Sequence, residues 1–214
     1  MRVDQTDHDG SSRHFDERAT TWDSDPAKVA RALAVAQEIR SRVPLNGQMQ
    51  GLEYGCGTGL LGFALQPYFG QITLADSSPG MLATLNDKIA ASRSNNLRSM
   101  KLDLVTDPLP AERYDLVCSL MTFHHIDDIS GLLRDLFSLM NSPGYLCVAD
   151  LDAEDGSFHG PGFTGHPGFD RSVLEHEAHG AGFRNIEFST VFQIAKPDSR
   201  GQTDFPVFLM VARK

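Results

Sequence analysis

The sequence predicts an α/β domain: a doubly wound, mostly parallel sheet with helices on both faces and an antiparallel last strand. Three observations predict it. Between residues 51 and 149, short apolar runs alternate with helical stretches long enough to serve as crossovers between parallel strands. A glycine run, residues 55–59, sits where the first strand passes into its helix. Two strand-like runs close the chain with no helix between them, so they pair as a hairpin or an antiparallel edge.

In chain order, residues 1–14 are polar and lack periodicity, and are expected to be disordered or flexible. A short amphipathic piece runs from Phe15 to Trp22. Asp25-Pro26 is a helix start, an acidic cap followed by proline at the first helical position. That helix is expected to reach about Val43, with Val29, Leu33, Ala36 and Val43 on one face, and Pro44-Leu45-Asn46-Gly47 ends it. Strands are expected at Gly51–Tyr54, Gln71–Ala75, Leu97–Leu102, Tyr114–Leu120 and Tyr145–Ala149. The helices between them run through about Tyr68, from Pro79 to near Ser92, and around Ile129–Met140. Residues 150–171 then break the rhythm. They are rich in glycine and proline with no apolar period, as expected of a functional loop or lid. A helix at Ser172–Ala181, stopped by Gly182, precedes strands at Asn185–Ile194 and Phe205–Ala212, which a polar turn over residues 197–201 separates.

Composition narrows the function. With 214 residues, 41% of them apolar, the chain suffices for one α/β domain, expected over residues 15–214. Against 19 basic residues stand 28 acidic ones, a net charge of −9, so the surface repels polyanions and nucleic acid is a disfavoured partner. No apolar run approaches the length of a membrane span and the N-terminus is polar, so no membrane partner is expected and a cytoplasmic location is. Cys56, Cys118 and Cys147 are scattered through apolar or glycine-rich segments and read as core thiols, neither a disulfide framework nor a zinc site.

The strongest local signal is Glu53-Tyr54-Gly55-Cys56-Gly57-Thr58-Gly59. Glycines there let the backbone turn sharply and let a ligand approach helix N–H groups. A dinucleotide reading is open, because Gly57-Thr58-Gly59-Leu60-Leu61-Gly62 matches G-x-G-x-x-G, although it starts two residues late and Glu53 is foreign to that fingerprint.

The segment resembles motif I of class I S-adenosylmethionine-dependent methyltransferases. Four further segments are similar to that family in order: Phe15-Asp16-Glu17-Arg18-Ala19 with Trp22-Asp23, Asp76-Ser77-Ser78-Pro79-Gly80-Met81-Leu82, Asp103-Leu104, and Tyr114-Asp115-Leu116-Val117 through His124-His125-Ile126. The resemblance covers residues 15–150 well and the rest more weakly. It implies a Rossmann-like, seven-stranded sheet and methyl transfer from S-adenosylmethionine to a small-molecule acceptor. It also implies a cofactor site of Trp22, Glu53, Tyr54, Gly55, Cys56, Gly57, Asp76, Ser77, Met81, Asp103, Leu104 and Ser119. Asp76 would accept from both ribose hydroxyls and Asp103 from the adenine amino group, with the Leu104 N–H on a ring nitrogen. Gly55 and Gly57 would pass the amino-acid end, Met81 would pack on the adenine or ribose, and Glu53 would hold the loop. Ser77 replaces the aliphatic residue frequent there. A nicotinamide-dependent oxidoreductase and a non-catalytic S-adenosylmethionine-binding module remain the alternatives.

Methyl transfer needs a base only where the acceptor holds a proton it cannot shed. Candidate bases are His124, after the fourth strand, and His159 and His166 in the 150–171 loop among Phe158, Phe163 and Phe169. Packing or a solvated loop are their plain alternatives. No metal site is expected, since no metal-ligand spacing recurs.

Overall fold

The computed structural model of the protein describes residues 15–198 and 201–214. The segment expected to be flexible, 1–14, lies outside the described residues, as do Ser199 and Arg200 of the expected turn. Residues 15–18 are helical and continue as a 3-10 turn, Ala19–Ser24. Five helices follow: α1 (Pro26–Arg42), α2 (Leu60–Leu65), α3 (Pro79–Ala91), α4 (Ile129–Ser138) and α5 (Arg171–Ala181). They alternate with β1 (Gln50–Tyr54), β2 (Gln71–Asp76), β3 (Leu97–Lys101), β4 (Tyr114–Leu120) and β5 (Met140–Leu151), and the chain closes on β6 (Arg184–Asp198) and β7 (Gly201–Arg213).

Short polar side chains set the helix starts. Asp25 accepts from the Ala27 N–H with Pro26 at the first position, and Ser78 accepts from the Met81 N–H with Pro79 likewise. Asp128 accepts from Gly131, and Asp170 from Ser172 and Val173. Gly182, at φ 114°, closes α5 in the left-handed region.

The strands form one sheet in the order β3-β2-β1-β4-β5-β7-β6. β1, β2, β3, β4 and β5 pair in parallel, and β7 runs antiparallel to both β5 and β6. Helices α1, α2 and α3 pack one face through Val35, Ile39, Leu61, Leu65 and Leu85; α4 and α5 pack the other through Leu133, Leu136, Leu174 and Ala178. The sheet, its double covering and its reversed last strand are those the sequence predicts. Among the described residues, no helix is long and apolar enough to cross a membrane.

Three expectations need correction. Of the face expected on α1, Ala36 and Val43 are buried, but Leu33 is 56% exposed and the buried stripe is completed by Ala32, Val35 and Ile39. β5 begins at Met140, where the chain turns straight from Leu139 into the sheet beside Tyr114. The terminal hairpin is longer than expected, pairing as far as Asp198 with Gly201. Pro197 is tolerated there because β6 is an edge strand with one partner.

Strand order reverses between β1 and β4. The crevice at the carboxyl ends of such strands is where open α/β sheets bind ligands. Every motif singled out above ends there.

Candidate active site

Glu53 lies in β1, 2% exposed, and its Oε2 accepts from the Gly62 N–H at 2.8 Å, fastening the first turn of α2 to the strand. Burial drives its pKa up to about 8, with the neighbouring Asp76 charge adding to the rise and the Gly62 amide and Lys88 opposing it. Beyond it the chain turns through Gly55, Gly57 and Gly59, all at positive φ. A side chain at Gly55 would fall 2.3 Å from Thr122, whereas one at Gly57 would reach into the crevice, touching Met81 and Trp22 at 3.8 and 3.9 Å. Cys56 is buried, its thiol pKa pushed well up by desolvation, so it is no nucleophile.

Asp76 ends β2. Its two carboxylate oxygens accept from the Gly57 N–H at 2.7 Å and the Ser78 N–H at 2.8 Å. Burial raises its pKa, so the carboxylate lacks solvation that those amides only partly replace. A carboxylate offers about four acceptor positions, which leaves about two for a vicinal diol. Asp103 opens a tight turn: its carbonyl accepts from Thr106 and Asp107, and its Oδ1 from the Val105 N–H at 3.0 Å. Met81 is buried behind Gly57, and Ser77 is exposed.

Three predicted contacts sit differently. The Tyr54 ring is buried in the cluster on the α4 side, and its hydroxyl takes the Leu104 N–H at 3.3 Å, the donor expected to face a ring nitrogen. The Ser119 hydroxyl donates to the Tyr54 carbonyl at 2.8 Å, tying β4 to β1. Both side chains brace the crevice from below.

The dinucleotide alternative fits poorly. Gly62 is packed under Leu74 with its N–H on Glu53, and the Gly57 N–H is on Asp76, so neither amide is presented to a pyrophosphate.

The N-terminal segment clasps the loop, a role that needs the folded chain to be seen. Asp16 accepts from the Ser78 hydroxyl at 2.5 Å and the Gly80 N–H at 2.8 Å. Asp23 accepts from the Thr58 hydroxyl and from Lys88 Nζ at 2.6 Å, and Lys88 also donates to the Thr58 carbonyl at 2.7 Å. Trp22 thereby stands over Gly57, with Lys28 Nζ 3.5 Å from its ring centroid.

Across the crevice, after β4, the 3-10 turn Phe123–His125 brings His124 onto Asp150. Nδ1 of His124 lies 2.6 Å from Asp150 Oδ1, with both side chains almost wholly buried. Burial pushes the Asp150 pKa up. The His124 charge and hydrogen bond, with the Leu151 and His124 N–H groups, outweigh it and hold the carboxyl below its usual range.

Loop 150–171 folds back over this turn. Asp152 and Phe169 form a bridge, Arg171 grips Asp152 through two bonds of 2.7 Å, and the His166 N–H donates to the His124 carbonyl at 2.8 Å. The loop therefore has an ordered stem. His159 stacks on Phe163, centroids 3.8 Å apart, and lies against His124 and His125 at 5.0 and 5.6 Å. His166 stands apart from them, with its Nε2 2.9 Å from the Ile126 carbonyl. Arg31 on α1 and Lys196 on β6 each have a pKa lowered first by burial. Arg31 senses the Asp150 charge, and its Nε is buried without a hydrogen-bond partner among the described residues.

Comparison with known proteins agrees with this geometry. The methyltransferase domain family matches residues 27–188. The chain is 33% identical over 119 residues to an uncharacterised methyltransferase of Schizosaccharomyces pombe, covering 52% of this chain and 42% of that protein. It is 33% identical over 140 residues to a malonyl-[acyl-carrier protein] O-methyltransferase of Ilyobacter polytropus, covering 64% and 50%. It thus spans about half the length of these relatives. Among solved structures, Haemonchus contortus phosphoethanolamine N-methyltransferase 2, in complex with S-adenosylmethionine, superposes with a TM-score of 0.68 at 15% identity, covering 84% of this chain and 52% of that one. An S-adenosylmethionine-dependent methyltransferase of Mesorhizobium loti superposes at 0.61 with 17% identity, covering 83% and 96%. The chain belongs to the methyltransferase domain family, on the seven-stranded Rossmann-like sheet of the S-adenosylmethionine-dependent enzymes.

Proposed function

We propose that this protein transfers the methyl group of S-adenosylmethionine to an oxygen of a small acidic acceptor held under loop 150–171. The observation that carries the cofactor half is Asp76: a desolvated carboxylate at the switch point, anchored by two amides, with acceptor capacity left toward the crevice. Asp76 would hold the ribose hydroxyls, Asp103 the adenine amino group, and the bare Gly55–Gly57 backbone the amino-acid end, under Trp22 and against Met81. When bound, the sulfonium supplies an electrophilic methyl on a good leaving group. The protein's own part is to align the acceptor, exclude water and handle a proton.

Three features support the acceptor half. Arg31, whose Nε has no hydrogen-bond partner among the described residues, and the neighbouring Lys196, which also donates to the Phe158 carbonyl, suit an anionic group on the acceptor. His159, Phe163 and Phe158 supply aromatic walls. When His124 is neutral, its pairing with Asp150 through Nδ1 leaves Nε2 as the ring atom that carries a lone pair. His124 and His159 are the residues of the reacting side, and His166 positions the loop. Relatives named for O-methyl transfer, on malonyl-[acyl-carrier protein] and in ubiquinone biosynthesis, favour oxygen as the acceptor atom. The acidic surface argues against nucleic acid, and three buried free thiols suit a reducing, cytoplasmic setting.

Calorimetric titration with S-adenosylmethionine, S-adenosylhomocysteine and NADH tests the first half. Micromolar binding of the first two is expected, and binding of NADH alone overturns the reading. Release of S-adenosylhomocysteine during a screen of small carboxylic and hydroxy acids tests the second. Cofactor binding without turnover on any acceptor would leave a non-catalytic module.

A further inference from the structure

The acceptor side gathers three imidazoles from two distant parts of the chain. One ring nitrogen each from His124, His125 and His159 lies within 4.8 Å of the other two. His124 and His125 share one 3-10 turn, their ring centroids 4.1 Å apart. His159 reaches them from loop 150–171, oriented by its stack on Phe163 at an interplanar angle of 16°.

Packing alone would account for three clustered rings. It does not account for Asp150. A buried carboxylate 2.6 Å from Nδ1 of His124, itself fixed by the Leu151 N–H at 2.7 Å and the His124 N–H at 3.3 Å, sets the tautomer of that ring. In the neutral ring this pairing keeps the proton on Nδ1 and leaves the lone pair on Nε2. Metal-bound histidines are oriented in this way, the carboxylate raising the basicity of the ligating nitrogen. Phe15 and Phe163 pack edge-on against His125, at 5.2 and 5.5 Å, so the rings are walled by apolar surface that limits solvent access.

We propose that His124, His125 and His159 form a three-histidine site for a divalent cation of the zinc class, with a fourth position open to an oxygen of the acceptor. Three imidazole nitrogens select borderline metals such as Zn²⁺ or Co²⁺ over Mg²⁺ and Ca²⁺, which take oxygen ligands. In tetrahedral zinc geometry, ligand nitrogens sit about 3.4 Å apart. Closure by about an ångström is then needed, and His159, the exposed member carried on the loop, is the one placed to make it. The open position defines the chemistry. An acceptor hydroxyl or carboxyl oxygen placed there is acidified and gives its proton to solvent. The oxygen–methyl bond then forms as the sulfur–methyl bond breaks, and the sulfur keeps the electron pair as a thioether. No other base is required. The cation also adds positive charge beside Arg31 and Lys196, reinforcing the selection of an acidic acceptor.

This inference rests on the proposed acceptor side but not on the cofactor side, and the test separates them. The full chain, stripped with a chelator, is titrated with Zn²⁺ by calorimetry and with Co²⁺ by visible absorption, with S-adenosylhomocysteine binding measured in parallel. One ion per chain is expected, with the intense visible bands of four-coordinate Co²⁺. His159→Ala, a change at an exposed loop position, should abolish those bands and weaken Zn²⁺ at least ~10-fold, circular dichroism confirming that it folds. Asp150→Asn should weaken it by ~10- to 100-fold, circular dichroism confirming that it folds. S-adenosylhomocysteine affinity should hold in His159→Ala. Absence of stoichiometric binding of either metal, or binding unchanged by His159→Ala, overturns the site whatever the cofactor result. Loss of S-adenosylhomocysteine binding with the metal bound would overturn the cofactor assignment alone.

Discussion

Replacing Glu53 by glutamine should make the protein more stable at alkaline pH and leave it nearly unchanged at acid pH. Glu53 is buried in β1 with one bond, from the Gly62 N–H, and its pKa rises from 4.5 to about 8. The direction follows from proton counting. Below pH 4.5 the native and unfolded chains both hold the proton, and the contribution of the buried neutral acid is fully present. Between 4.5 and about 8 the unfolded chain has released it while the native chain keeps it, so stability falls as pH rises. Above about 8 the loss is complete. At about 1.4 kcal/mol per unit, the rise from 4.5 to about 8 amounts to something on the order of 5 kcal/mol, a large share of a domain's stability. Glutamine offers the same carbonyl acceptor to Gly62 and does not titrate. Urea unfolding of both proteins at about pH 5.5, 7 and 8.5 reads the difference, and the other titrating groups cancel between them. The gap should widen in favour of Glu53→Gln across that range. A gap that stays constant would show that Glu53 is ionised in the native state, balanced by Lys88, and the burial argument would fail.

Three further outcomes follow from the same geometry. Asp76→Ala removes the acceptor for two hydroxyls, each charge-assisted bond contributing ~1.5–3 kcal/mol, so S-adenosylhomocysteine affinity should drop ~100-fold or more by calorimetry. Wild-type affinity in that variant would refute its place in the site. Asp23→Ala unties Thr58 and Lys88 from the N-terminal segment. It should weaken S-adenosylhomocysteine about tenfold while moving the melting temperature by only a few degrees, because the ion pair is partly exposed. Asp152→Asn breaks the double bond to Arg171 at the base of the loop, so limited proteolysis within residues 155–165 should accelerate, while global unfolding changes by ~1 kcal/mol. Unchanged cleavage would mean that the loop holds its shape without that pair.

The fold and the cofactor crevice were legible because local chemistry dictates them. Gly55 and Gly57 need positive φ, Pro26 and Pro79 follow capping side chains, and Asp76 ends its strand. Each is a short-range rule that a string of residues can express. Errors arose where a neighbour decides. Leu33 satisfies helical spacing but faces solvent, because the sheet meets α1 along Ala32, Val35 and Ile39. Tyr54 sits inside the motif, yet its ring belongs to the opposite core and its hydroxyl takes the Leu104 amide. Asp16 and Asp23 stood in the recognised N-terminal pattern without a visible task, since their partners, Gly80 and Lys88, lie more than sixty positions away.

The two sides of the crevice differ for a physical reason. Every molecule of this cofactor has the same hydroxyls and the same adenine, so the contacts proposed for it come from the backbone of the glycine turn and from carboxylates at or just beyond strand ends, which the sheet itself presents. The acceptor side has no such fixed template. His124 is positioned by Asp150 from the next strand, and His159 arrives on a loop whose stem depends on Arg171 and on the His124 carbonyl itself. Because the His166 amide bonds that carbonyl, the loop and the histidine turn settle together. A change between β5 and α5, in residues 152–170, therefore acts on the orientation of the imidazoles before it acts on the sheet. On the proposed reading, acceptor choice varies through this loop while Asp76 and Asp103 stay in place, so short motifs point to the cofactor, whereas the arrangement of the imidazoles emerges only in the folded chain.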